Sequence, residues 1–261
     1  MCCGAFFAMH RADCRPTDRM HAMSPQFDLH AHSTASDGTL TPTQLMQRAH
    51  AAGVGVMALT DHDTLEGLAE AADSARVLGL GFVPGVEVSV TWGEATVHIV
   101  GLGVGPDAEE LRVGLAGLRE FRDWRAQEIG RRLDKAGIPE AFAGARALSN
   151  GRLISRTHFA RFLVDNGYAS DVRAVFRKFL VGGKPGFVSG RWAGLEEAVR
   201  WIRLAGGQAV IAHPARYKMT RSKLRRLIGE FVEVGGAALE VVSGSHSRDD
   251  CFSMAVLARD F

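Results

Sequence analysis

The chain has 261 residues, 46% of them hydrophobic, and a formal net charge of +2. That length buries a full core and accommodates one large domain, or one domain with an insertion. The near-neutral charge gives no support to a protein that coats nucleic acid by bulk electrostatics. No apolar run approaches the roughly 18 residues of a membrane span, so no membrane partner is expected.

Cys2, Cys3 and Cys14 lie near one end and Cys251 near the other, with no CxxC pair. A structural zinc ribbon is therefore not expected, and a reducing, cytoplasmic compartment is. Residues 1–26 do not read as fold. Their apolar part, Ala5–Met9, is too short for a signal-peptide core, and no basic residue precedes it. A disordered N-terminal extension is expected, with Met20 or Met23 as alternative starts.

The first barrel part runs over 27–105. The strand Phe27–His32 leads through the loop Thr34–Thr41 to a helix with Thr41 as N-cap and Pro42 at its first position. That helix closes at Gly53. The strand Val54–Leu59, a helix over about Leu65–Leu78 closing at Gly79, and strands near Phe82–Val90 and Ala95–Leu102 follow. The alternation predicts parallel strands with helices outside. Over 106–188 the strand signal disappears. Helices are predicted at Ala108–Ala136, Arg156–Asn166 and Asp171–Phe179, an α-helical insertion. The alternation resumes over 189–261 with the helix Leu195–Leu204, the strand Gln208–Ala212, the helix Ser222–Val234, the strand Ala237–Val242 and the helix Asp249–Arg259. The chain stops at Phe261, where one more strand is expected.

The chemistry is concentrated where strand-like runs end. In Asp28-Leu29-His30-Ala31-His32-Ser33, alternation along a strand points His30 and His32 the same way. Val54–Leu59 runs into Thr60-Asp61-His62-Asp63, Gly81–Val86 into Glu87, Thr96-Val97 into His98, and Ala209–Ala212 into His213. Barrels gather the loops after their strands on one rim, so these residues predict a polynuclear metal site there. Imidazole and carboxylate ligands without thiolates suit Mn, Zn or Fe rather than Ca or Mg. One Glu among several His can bridge two ions. Ions ~3.5–4 Å apart polarise phosphoryl oxygens and hold an attacking hydroxide in line, so no covalent nucleophile is needed. None is evident: there is no GxSxG and no Cys–His context.

These motifs, with Ala212-His213-Pro214, resemble those of the PHP (polymerase and histidinol phosphatase) family from Phe27 onward. Ser155-Arg156-Thr157-His158-Phe159-Ala160-Arg161, Gly183-Lys184-Pro185-Gly186 and His213-Pro214-Ala215-Arg216-Tyr217 narrow the resemblance. They are similar to the subgroup containing ribonuclease AM and 3′,5′-nucleoside bisphosphate phosphatase. The resemblance implies an α/β fold, a distorted (βα)7 TIM-like barrel with a helical insertion. It also implies two or three divalent ions, Mn2+ by preference with Zn2+ or Fe2+ as alternatives. The implied ligands are His30, His32, Asp37, His62, Glu87 as the bridging carboxylate, His98 and His213. Arg156, His158 and Arg216 match positions expected to contact substrate phosphates. The implied activity is phosphate release from nucleoside 3′,5′-bisphosphates, 5′→3′ trimming of short 5′-phosphorylated RNA, or both. The partner is then a nucleotide or a short RNA 5′ end, with no obligate protein partner evident. The family's last Asp-x-His motif is absent, so two ligands and the closing strand are expected to be missing. A histidinol or sugar phosphatase of the same family, or an inactive truncated protein, are the alternatives.

Other residues read more plainly. Asp28 and Asp61 either orient neighbouring imidazoles or cap loops, and Asp63 reads as an N-cap. In the basic run from Arg216 to Arg226, only Arg216 reads as functional, since Leu224, Leu227 and Ile228 give the rest a buried side. Trp201 fits a helix core, whereas Trp192 lies in a loop near the rim and is the better candidate for base stacking. His10, His21, His50 and His246 have no evident partner set.

Overall fold

The computed structural model describes residues 26–149, 153–190 and 192–261. The N-terminal extension expected over 1–26 falls outside them except for Gln26, which opens the first strand.

The seven strands form one sheet among the described residues, in a mixed α/β fold. They are β1 (Gln26–Asp28), β2 (Val54–Leu59), β3 (Gly81–Trp92), β4 (Ala95–Leu102), β5 (Ala193–Gly194), β6 (Gln208–Ile211) and β7 (Ala238–Leu239). The order is β1-β2-β3-β4-β6-β7, with β5 beside β3. The all-parallel expectation fails at β4, which is antiparallel to both β3 and β6. Only Gly93 and Glu94 join β3 to β4, enough for a hairpin, whereas a parallel crossover needs a dozen residues or more. Gly93 takes the positive φ, 57°, that the tight turn requires.

β1 ends at Asp28, four residues short of the expected His32. Beyond it Thr60 replaces the ladder: its Oγ1 accepts from Ala31 N at 3.1 Å, and its N donates to Ala31 O at 2.9 Å. The chain stays tied to β2 through the two histidines without continuous sheet pairing. Helix α1 (Pro42–Ala51) opens with the predicted N-cap, a capping box in which Thr41 and Gln44 bond reciprocally. Helix α2 (Leu68–Leu78) starts three residues later than expected. The turn before it packs Gly67 so closely that a Cβ there would lie 2.9 Å from Leu59 Cδ2 and 3.0 Å from Asp61 Oδ2.

Between β4 and β5 the chain is helical: α3 (Glu109–Lys135), α4 (Ala141–Leu148), α5 (Arg156–Asp165) and α6 (Val172–Val175), which runs into a π-helical turn, Phe176–Leu180. Helix α4 was not anticipated. It is only eight residues long, and Gly144 in its middle lets Phe162 pass, since a Cβ would lie 2.0 Å from that ring. Leu111, Leu115 and Leu118 of α3 pack into the sheet core, while Ala126, Ile129 and Leu133 pack into a second core formed by the helical segment. One helix thus belongs to both bodies. Helices α7 (Leu195–Leu204), α8 (Arg221–Glu233) and α9 (Arg248–Asp260) cover the sheet core from outside. Trp201 is buried in that core, as its helix position predicts.

Candidate metal centre and its cleft

Alternation along β3 sends Val86, Val88 and Val90 into the core and Glu87 and Ser89 into a cleft of about 530 Å3. β4 repeats the division: Val97 and Ile99 pack inward, and Thr96 and His98 line the cleft. The ends of β1, β2 and β6 bring His30, His32, His62 and His213 to the same place.

Glu87 is the hub. Its Oε1 lies 2.8 Å from both His98 Nδ1 and His213 Nε2. Its Oε2 lies 3.0 Å from His62 Nδ1, 3.1 Å from His32 Nε2 and 3.3 Å from His30 Nε2. Five imidazoles therefore surround one carboxylate that is 0% exposed. Burial pushes the Glu87 carboxyl up, but the His62, His30 and His98 rings outweigh it and hold it well below the usual range. Glu87 Oε2, His62 Nδ1 and His213 Nδ1 are buried without an aligned hydrogen bond. Unpaired donors and acceptors inside a protein are costly, and His62 Nδ1 and Glu87 Oε2, 3.0 Å apart without an aligned hydrogen bond, suit a cation beside them. Three sets of ligand atoms lie within 4.8 Å: His30–His32–Glu87, His32–Asp37–His62 and His62–Glu87–His98. The residues present fit a cluster of divalent ions.

Asp37 reaches the cluster from the loop after β1. Its Oδ2 accepts from Thr157 Oγ1 at 2.9 Å and Ser155 Oγ at 3.1 Å, so the first turn of α5 holds it in place. Burial raises its pKa, while the His62 and His32 rings and the Thr157 bond carry it below the ordinary value. Asp61 caps the same loop, accepting from Ser33 N, Ser33 Oγ and Ser36 Oγ at 2.6–2.7 Å. Of its two readings, the loop cap is the one the structure displays. Asp63 caps no helix: α2 is preceded by Gly67 without a side-chain cap. It adopts φ +50°, accepts from Ser89 N at 2.7 Å, and pairs with Arg122 Nε at 2.6 Å.

Part of the cleft's lining is cationic. Arg122, Arg125, Arg156 and Arg216 all line it. Burial, then the neighbouring guanidiniums, lowers the pKa of Arg125 and of Arg156. Arg122 is paired with Asp63, but among the described residues no carboxylate pairs with Arg125, Arg156 or Arg216. Trp192 completes this wall, with the Arg122 and Arg125 guanidiniums 4.9 and 5.4 Å from its ring centre. His158 does not reach the cleft. It is buried at the third position of α5, where its Nδ1 accepts from Ser155 N at 3.0 Å in a capping box. Of the basic run on α8 and before it, only Arg216 lines the cleft; Arg225 pairs with Asp260, and Lys223 and Arg226 lie over Trp92.

Three cleft residues were missed from sequence. Arg122 had a legible signal, since it occupies a turn of the apolar stripe Leu111–Leu115–Leu118–Ala126–Ile129, where a charge is out of place. Arg125, one turn on, is lost among the other arginines of α3. Glu240, just past β7, sits at a strand end like the histidines, and its Oε1 lies 2.5 Å from His30 Nδ1.

The family model for the PHP domain matches residues 28–231. The 3′,5′-nucleoside bisphosphate phosphatase of Chromobacterium violaceum is 55% identical over 232 residues, covering 88% of this chain and 81% of that protein. The 5′-3′ exoribonuclease Rnm of Escherichia coli is 44% identical over 235 residues, covering 89% and 80%. A solved structure of an amidohydrolase from Chromobacterium violaceum with bound sulfate and no metal superposes with a TM-score of 0.88 at 54% identity, covering 90% of this chain and 83% of that one.

Proposed function

The chain belongs to the PHP domain family, and from that premise we propose a metal-dependent phosphoesterase that removes the 3′-phosphate of nucleoside 3′,5′-bisphosphates, trims short 5′-phosphorylated RNA 5′→3′, or does both. The observation that carries the substrate class is that the Glu87 histidine cluster and the arginines Arg122, Arg125, Arg156 and Arg216 line one and the same cleft. A monophosphate needs only the first. A substrate with two phosphates uses both: one phosphate at the cluster, the other neutralising guanidiniums that have no carboxylate of their own.

His30, His32, Asp37, His62, Glu87 and His98, whose ligand atoms fall into three groups, would hold two or three ions of Mn2+, Zn2+ or Fe2+, and His213, with its Nε2 2.8 Å from Glu87 Oε1, would join them. Bound there, the ions would supply Lewis-acid polarisation of the phosphoryl group and a nucleophilic oxygen at neutral pH. The protein's own part is positioning. Arg156 and Arg216 orient the distal phosphate, Trp192 offers a stacking face to the base, and Asp37 is held by Ser155 and Thr157 between the cluster and the helical segment. The finer architecture that accompanies this reading is a distorted (βα)7 barrel with a helical insertion over 106–188.

The test is Mn2+-dependent phosphate release from adenosine 3′,5′-bisphosphate, adenosine 3′-monophosphate and histidinol phosphate at equal concentration. The bisphosphate is expected to be preferred, and Arg156→Ala to lower its kcat/KM about 10- to 100-fold through loss of a charged hydrogen bond, with a far smaller effect on the 3′-monophosphate. Preference for histidinol phosphate would overturn the substrate class. An undiminished rate in His32→Ala would overturn the ligand assignment.

A further inference from the structure

We propose that Glu240 is a positioning residue of the metal centre, locking the His30 ring and the His213 backbone together so that both imidazoles aim at Glu87. This rests on the metal-site reading above.

Glu240 follows β7 directly, and its backbone N donates to Ile211 O at 3.0 Å, which places it beside the end of β6. The side chain is 2% exposed and divides its two oxygens between two strand ends. Oε1 lies 2.5 Å from His30 Nδ1. Oε2 accepts from His213 N at 2.6 Å. Both bonds do something specific. A carboxylate at Nδ1 requires a proton there, which in the neutral ring that binds a metal leaves the lone pair on Nε2, the atom 3.2 Å from His32 Nε2 and 3.3 Å from Glu87 Oε2. His213 adopts φ 30° and ψ 56°, a left-handed conformation that a residue with a Cβ resists unless its surroundings hold it. The second oxygen of Glu240 is the side-chain group that holds it. One carboxylate therefore fixes a tautomer on the β1 side and a strained turn on the β6 side, and the two rings stack with centres 5.7 Å apart.

Glu240→Gln separates this role from bulk packing because it keeps the volume and loses one acceptor. With its oxygen on His213 N–H, its amide faces His30 Nδ1 as a donor. His30 is then driven to the Nε2–H tautomer, with a hydrogen where a lone pair is required. With the amide reversed, two donors confront each other at His213. Isothermal titration of Mn2+ into metal-free protein is expected to show a tenfold or greater loss of affinity in the variant. The metal-free variant is expected still to melt cooperatively. Affinity within twofold of the parent overturns the role of Glu240, whereas a parent chain that binds no Mn2+ refutes the metal reading itself. If the variant does not fold, ring 15N NMR of the Zn2+-loaded parent decides: a proton on His30 Nδ1 supports the proposal, and a proton on Nε2 overturns it.

Discussion

Arg122 tests whether the helical segment is bound to the sheet by a buried charge pair or merely rests on it. The residue is 7% exposed and its partner Asp63 is 0% exposed. Arg122 Nε donates to Asp63 Oδ2 at 2.6 Å and its terminal nitrogen donates to Ser89 Oγ at 2.8 Å. Arg122→Met keeps most of the volume and leaves the Asp63 carboxylate with Ser89 N as its remaining bond. Removing one member of a buried pair costs about 3–5 kcal/mol, because the survivor stays desolvated without compensation. For a chain of this size each kcal/mol shifts the melting midpoint by roughly 2 °C, so a fall on the order of 6–10 °C is expected. Adding Asp63→Asn removes the stranded charge while its Oδ1 continues to accept from Ser89 N. The double variant should therefore recover stability, with a coupling energy of about 2 kcal/mol in the cycle. Urea denaturation of the four proteins supplies the measurement. A loss below about 1 kcal/mol in Arg122→Met, or additivity within about 0.5 kcal/mol, would show that the pair does not couple the two bodies.

Two further outcomes follow from the packing and the charges. A Cβ at Gly114 would lie 2.5 Å from the Trp201 ring, so Gly114→Ala should destabilise by about 1–3 kcal/mol despite the better helix propensity of alanine; a neutral or stabilising change in urea would mean that Trp201 yields at little cost. Hydrogen bonds from Arg131 and Arg132 bring the Glu128 carboxyl down to about 2. The folded value is the depressed one, so the stabilisation is present above the ordinary glutamate range and is lost as pH falls toward 2. Side-chain carboxyl 13C NMR should place the Glu128 midpoint well below 4, and a midpoint near the ordinary ~4.3 refutes the pairing in solution.

The histidine cluster was legible because a strand end is a short, local signal. His30 and His32 need only the period of two, and Glu87 and His98 are the single ionisable residues on β3 and β4. What could not be read was how separate elements meet. That β4 runs antiparallel depends on a two-residue loop, and the pairing of β4 with β6 spans the whole helical segment. His158 looked like a phosphate contact from its place beside Arg156. The side chain is instead taken up by the N-terminus of its own helix, a choice decided by burial. Glu240 was passed over for the opposite reason. It lies inside the strand expected over Ala237–Val242, of which only Ala238–Leu239 pairs, and its partners lie 210 and 27 positions away.

The net charge of +2 also hides the feature on which the proposed chemistry turns. One cleft is lined by acids, imidazoles and four guanidiniums together. Unlike charges that close together would ordinarily collapse into ion pairs, yet among the described residues only Arg122 of the four has a carboxylate partner, Asp63. The carboxylates Glu87, Asp37 and Glu240 are already engaged by histidines and hydroxyls, while Arg125, Arg156 and Arg216 line the same cleft without a carboxylate among the described residues. A polyanion placed there relieves the guanidiniums, and cations placed among the histidines relieve the orphaned His62 nitrogen and Glu87 oxygen. Neither half is satisfied by the polypeptide alone, and a phosphorylated nucleotide on a divalent cluster satisfies both.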